Sequence, residues 1–94
     1  MTDTTGGKVR LKVDNVVWRE VDEELVVLEL PTTTYLTLNG SAMQLWLRLV
    51  EGATPEELVD MLIDRYNISS ELAKSDTESF LADLAERELL DHGG

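Results

Sequence analysis

The sequence offers almost nothing with which to make or break a covalent bond. Its single histidine, His92, lies between Asp91 and Gly93 near the last residue, and there is no cysteine, so a thiolate nucleophile, a disulfide and a thiolate metal site are excluded. Ser41, Ser69, Ser70, Ser75 and Ser79 fall mostly where helix caps are expected, which accounts for them without catalysis. The acidic residues are spread as a solvated surface would be, and neither a glycine-rich phosphate loop nor a histidine pair on one helix is present. The expectation is a non-catalytic protein without cofactor or metal. What remains is the chemistry of the main chain. In residues 34–38, Thr34, Leu36 and Leu38 alternate with Tyr35 and Thr37 at the period of a strand, and Asn39-Gly40-Ser41 ends it, with Ser41 able to cap a following helix. At the open edge of a small sheet such a strand presents N–H and C=O groups that can accept a strand from another peptide.

Positioning that edge requires a sheet before it and a support behind it. Residues 8–13 alternate, Val9, Leu11 and Val13 against Lys8, Arg10 and Lys12, and read as a half-buried strand. Asp14-Asn15 signals a turn, after which Val16-Val17-Trp18-Arg19 either continues that strand or pairs back on it. Residues 21–24 make a charged loop. Residues 25–30 are almost continuously apolar, as suits a central strand, and Pro31 ends them. The outcome is an antiparallel meander of about three strands whose last member keeps one free edge. Three helices should follow. Ala42, Leu45, Trp46, Leu49 and Val50 recur at three- and four-residue spacing, with Gly52 where a C-terminal cap belongs. Thr54-Pro55-Glu56-Glu57 combines a Thr cap, an opening proline and a Glu able to close a capping box. Leu58, Met61, Leu62 and Tyr66 are the expected inward positions of that second helix. Ser69 or Ser70 caps the third, whose apolar positions are Leu72, Ala73, Phe80, Leu81 and Leu84; Leu89 and Leu90 then close the packing. Along it Asp76, Phe80, Asp83, Leu84 and Arg87 share a face. Strands first and helices after give an α+β layout.

Ninety-four residues with 43% hydrophobic content make one domain, expected over residues 8–90, with residues 1–7 disordered and 91–94 a flexible tail. The net charge of −11 repels phosphate backbones, so nucleic acid is not the expected partner. With no signal-like or membrane-spanning stretch, a cytoplasmic protein without membrane association is expected.

The ordered set Tyr35-Leu36-Thr37-Leu38-Asn39, Ala42, Leu45-Trp46, Leu49, Gly52-Ala53-Thr54-Pro55-Glu56-Glu57-Leu58, Leu62, Tyr66, Asp76, Phe80-Leu81, Leu84 and Glu88-Leu89-Leu90 resembles the PqqD family. These are precursor peptide recognition elements of RiPP pathways, and the likeness is greatest to the stand-alone kind from lasso peptide pathways. Glu88 departs from it, standing where many members have Gly. The resemblance implies a winged helix-turn-helix domain that does not bind DNA, an N-terminal three-stranded antiparallel sheet followed by a three-helix bundle. It further implies that a precursor's leader segment adds as a strand to the third sheet strand, in the groove against the third helix, for delivery to a leader peptidase and a cyclase. Thr33, Thr34, Tyr35, Leu36 and Thr37 would then supply main-chain hydrogen bonds. Phe80 and Leu84 would floor the groove beneath an aromatic or proline anchor, Asp76 and Asp83 would meet basic or polar groups, and Arg87 an acidic one. Plain core for Phe80 and Leu84, and solvated surface for the three charged residues, are the competing assignments. A winged-helix transcription regulator and a structural subunit that pairs with itself through the free edge are the alternatives for the whole chain.

Overall fold

A computed structural model describes residues 7–91. His92, the terminal Gly93-Gly94 and the expected disorder of residues 1–6 lie outside these. A short strand β1 (Arg10–Leu11) precedes an antiparallel meander of β2 (Val16–Val21), β3 (Glu24–Glu29) and β4 (Thr34–Asn39), in that spatial order. Helices α1 (Gly40–Glu51), α2 (Pro55–Tyr66) and α3 (Ser70–Glu86) follow, and a last strand β5 (Leu90–Asp91) pairs antiparallel with β1. The α+β order of sheet then three helices is the winged helix-turn-helix arrangement that was expected.

The first strand of the meander is a correction. Residues 8–13 do not join it: Val13–Asn15 make a single 3-10 turn, Arg10 and Leu11 pair with Asp91 and Leu90, and Val9 exchanges main-chain hydrogen bonds of 2.8 and 3.0 Å with Ala53. Asp91, expected in the tail, is thus strand. Alternation did place Val9 and Leu11 inward, at 5% and 2% exposure, but a period of two specifies a face and not a neighbour. Residues 16–21 take the vacant place through a two-residue loop, Asp22-Glu23, in which Asp22 adopts the left-handed conformation that Asp tolerates (φ 58°).

The meander buries one face. Val16, Leu25 and Val27 are covered and Leu36 and Leu38 half-covered, whereas Val17 and Tyr35 on the other face stay open. Beneath the buried face lies a core of Leu45, Trp46, Leu49, Leu58, Leu62 and Leu84. Trp46 meets Trp18 edge to face with centroids 5.9 Å apart, a geometry that indole quadrupoles favour.

Strand passes to helix at Gly40, whose φ of 55° suits a residue without Cβ. The helix therefore starts one residue before Ser41, with Asn39 as N-cap, so Ser41 is not the cap expected. Thr54 and Glu57 form the capping box, Glu57 N–H donating to Thr54 Oγ1 at 3.1 Å and Thr54 N–H to Glu57 Oε1 at 2.9 Å. Ser69 caps α3 by accepting from Leu72 N–H at 3.1 Å. Tyr66 and Leu72, expected inward, are exposed; the buried stripe of α3 runs instead through Ala73, Thr77 and Leu84.

The end of α3 is built to turn sharply. Glu88 N–H reaches Ala85 C=O and Leu89 N–H reaches Leu84 C=O, both at 3.0 Å, while Glu88 takes φ 59°. This is the double-bonded left-handed C-terminal turn that usually carries glycine at the Glu88 position. Gly would take this conformation without strain; the turn drops Leu89 and Leu90 into the core.

Candidate functional site

The two-residue loop between β2 and β3 fixes which groups on β4 are free. Residues flanking such a loop form a hydrogen-bonded pair, and bonded and unbonded pairs then alternate along an antiparallel ladder. Val21–Glu24, Arg19–Val26 and Val17–Leu28 are therefore the bonded pairs, and the 3.0 Å bond from Leu30 N–H to Asn15 C=O continues that phase. On β3 it is Leu25, Val27 and Glu29 that address β4, where their partners are Leu38, Leu36 and Thr34. Tyr35 and Thr37 are left with N–H and C=O pointing out of the open edge. Of the residues expected to offer main-chain bonds, these are the two whose groups face outward. Thr34 and Leu36 are committed to β3, and Thr33 stands in the preceding turn with φ 56°.

Beside the edge the structure leaves space. The helix that packs on β4 is α1, not α3, and a cavity of about 490 Å³ opens between Ser41 and Ala42 of α1 and Asp76, Ser79, Phe80 and Asp83 of α3. Near the start of β4 a second cavity, also about 490 Å³, lies between Glu29, Thr32 and Thr34 on one side and Arg87 and Leu89 on the other. The face of α3 carrying residues 76, 80, 83 and 87 thus runs past both. Phe80 is half-buried at the first cavity and offers the apolar surface there.

Two expected site residues take other roles. Leu84 is 1% exposed and belongs to the core, one step around the helix from Phe80; it supports the groove wall without lining the cavity. Arg87 is already engaged: Nη1 donates to Glu29 Oε2 at 2.7 Å and Nε to Asp83 Oδ2 at 3.3 Å. Burial works against its charge, but the bonds to Glu29 and Asp83 outweigh this and raise its pKa. A cation held by two carboxylates has little left for an acidic ligand group. Asp76 is half-buried and, among the described residues, has no ion-pair partner, so the groove is left with a net negative cast.

Glu29, Ser41, Ala42 and Ser79 are among the lining residues that sequence reasoning missed. For Glu29 a signal existed: it shares the inward phase of Leu25 and Val27, and a carboxylate on a buried face must find a cation. Among the described residues no group of three or more His, Asp or Glu side chains could hold a metal ion, and no helix is long and apolar enough to cross a membrane.

Comparison with known proteins follows from this geometry. The sequence model of PqqD, described as coenzyme PQQ synthesis protein D, matches residues 24–90. The solved structure "TbiB1 in Complex with the TbiA(beta) Leader Peptide" is similar at 35% identity and a TM-score of 0.79, over 90% of this chain and 98% of that one. A second, "Lasso peptide synthetase B1 complexed with the leader peptide", shares the fold at 23% identity and a TM-score of 0.77, over 88% of this chain and 96% of that one. No significant match was found among curated proteins.

Proposed function

Because the chain belongs to the PqqD family, we propose that it captures the leader segment of a ribosomally synthesised precursor peptide and hands it to maturation enzymes of a lasso peptide pathway, a leader peptidase and a cyclase. The leader adds as a strand to the open edge of β4, with alternate side chains entering the groove against α3. No bond is made or broken. The observation that carries the reading is a free strand edge together with open space along α3: Tyr35 and Thr37 offer main-chain groups outward, Thr34 at the start of β4 lines one cavity with Arg87, and Asp76 and Phe80 line another with Ser41 and Ala42, just after β4. A protein 35% identical over nearly the whole chain was solved with a leader peptide bound, which supports the ligand class.

Magnitudes divide the work between edge and groove. The N–H and C=O groups of Tyr35 and Thr37 allow roughly four hydrogen bonds, each worth about 1 kcal/mol net. Micromolar affinity needs about 8 kcal/mol, before the cost of ordering a flexible peptide. Main-chain pairing alone therefore falls short, and it reads no sequence. Burial of an apolar leader side chain against Phe80 must supply much of the remainder, at about 25 cal/mol per Å², and with it the selectivity.

Tyr35→Pro tests this directly. Proline removes an N–H that points out of the sheet and is tolerated on edge strands, so the fold should persist while leader affinity falls at least tenfold, read by anisotropy of a labelled leader. Leader binding that is unchanged in the folded variant would remove strand addition as the mechanism.

A further inference from the structure

We infer that Glu29 is a positioning residue for the leader groove: through Arg87 it fixes the end of α3 at a set distance from the start of β4. The inference rests on the proposed leader-binding reading and adds to it a residue that acts through Arg87. Glu29 is the last residue of β3, 5% exposed on its inward face, and it pairs in register with Thr34, the first residue of the edge strand. Arg87 is the C-terminal cap of α3. Their 2.7 Å bond joins residues 58 apart in sequence, and the 3.3 Å bond from Arg87 to Asp83 ties the guanidinium back to the helix.

Two features make this link more than a stray ion pair. It sits between the two cavities along α3, since Asp83 lines one and both Arg87 and Glu29 line the other. It also joins two points at which the chain turns through a left-handed non-glycine residue, Thr33 at φ 56° just before β4 and Glu88 at φ 59° just after Arg87. The helix packed on β4 is α1, and among the described residues the Arg87–Glu29 bond is the side-chain link between the end of α3 and the β3–β4 pair. The carboxylate of this pair is buried and the guanidinium half-buried, so desolvation offsets much of its attraction and the link adds little net stability. Here the geometry that it fixes is the width of the groove.

The experiment is a double-mutant cycle on leader affinity, using a fluorescein-labelled leader peptide of the kind bound in the 35%-identical complex. Glu29→Gln, Arg87→Gln and the double variant are measured at a temperature where near-ultraviolet circular dichroism shows each to be folded. Each single change should weaken binding by about tenfold, and the double should be no weaker than either single, because both remove the same link. A merely structural role would lower the melting temperature and leave the affinity of the folded protein alone. If Glu29→Gln does not fold, Arg87→Gln at a half-exposed site reads the same link by itself. Wild-type affinity in the folded single variants, or losses that add in the double, would overturn the inference while leaving leader binding intact. Absence of leader binding by the unaltered protein would instead remove the underlying reading, and this inference with it.

Discussion

Phe80 and Leu84 lie one helical turn apart on α3, and they do different things. Leu84 is sealed in the core and Phe80 half-open at the cavity, so truncation should separate fold from function. Leu84→Ala should cost about 2–5 kcal/mol of stability in chemical denaturation, with leader affinity little changed wherever the protein remains folded. Phe80→Ala should show the reverse, a modest loss of stability and at least a tenfold loss of affinity. Glu88 yields a prediction of opposite sign. Its left-handed backbone costs a residue with a Cβ about 1 kcal/mol, so Glu88→Gly should stabilise the protein by about that amount, seen as a rise in melting temperature. Spacing on α3 correctly grouped Asp76, Phe80, Asp83, Leu84 and Arg87 on one broad face. It could not divide that face, because residues at i+3 and i+4 each lie less than a quarter turn around the helix from residue i, and only the position of β4 and α1 decides which of them meets solvent. The partner of Arg87 was out of reach for another reason: Glu29 is 58 residues away.

At the scale of elements, the open edge depends on hydrogen-bond phase, which the Asp22-Glu23 loop sets for the whole sheet. Tyr35→Pro should spare the ladder and abolish most leader binding. Leu36→Pro, which removes an N–H committed to β3, should unfold the sheet, and melting curves for the pair distinguish the two cases. Capping gives a second element-level test. The Glu57 carboxyl is held below its usual value of 4.5 by the Thr54 backbone N–H, which outweighs the opposing effect of desolvation, with the Arg48 charge adding to the lowering. A folded pKa below the unfolded one adds stability above the unfolded value, and that stability is lost as pH falls through the folded value. Glu57→Gln should therefore lower the melting temperature at neutral pH, and the difference should vanish in strong acid. The Thr54-Pro55-Glu57 start was legible because every contact in it is local. The pairing of β1 with β5 was not, since alternation in residues 8–13 carries no information about a partner at the other end of the chain.

For the molecule as a whole, charge decides between readings that share one fold. The helix that would enter a DNA groove is α3, and it bears Glu71, Asp76, Glu78, Asp83 and Glu86 against Lys74 alone; on a chain of net charge −11 it repels phosphate and offers almost no cation to neutralise it. No salt-dependent duplex binding is expected at low ionic strength. Self-pairing through β4 would appear as concentration-dependent sedimentation, and a leader that competes for the same edge would suppress it. The measurement that reaches the central claim most directly is fluorescence anisotropy of the labelled leader, titrated with the purified protein beside a scrambled leader and the Tyr35→Pro variant. Saturable binding of the native leader at about micromolar or tighter, near 8 kcal/mol, with neither control binding comparably, is the predicted result. Equal binding of native and scrambled leaders, or none of either, would contradict the account and leave the likeness to leader-binding proteins as one of fold.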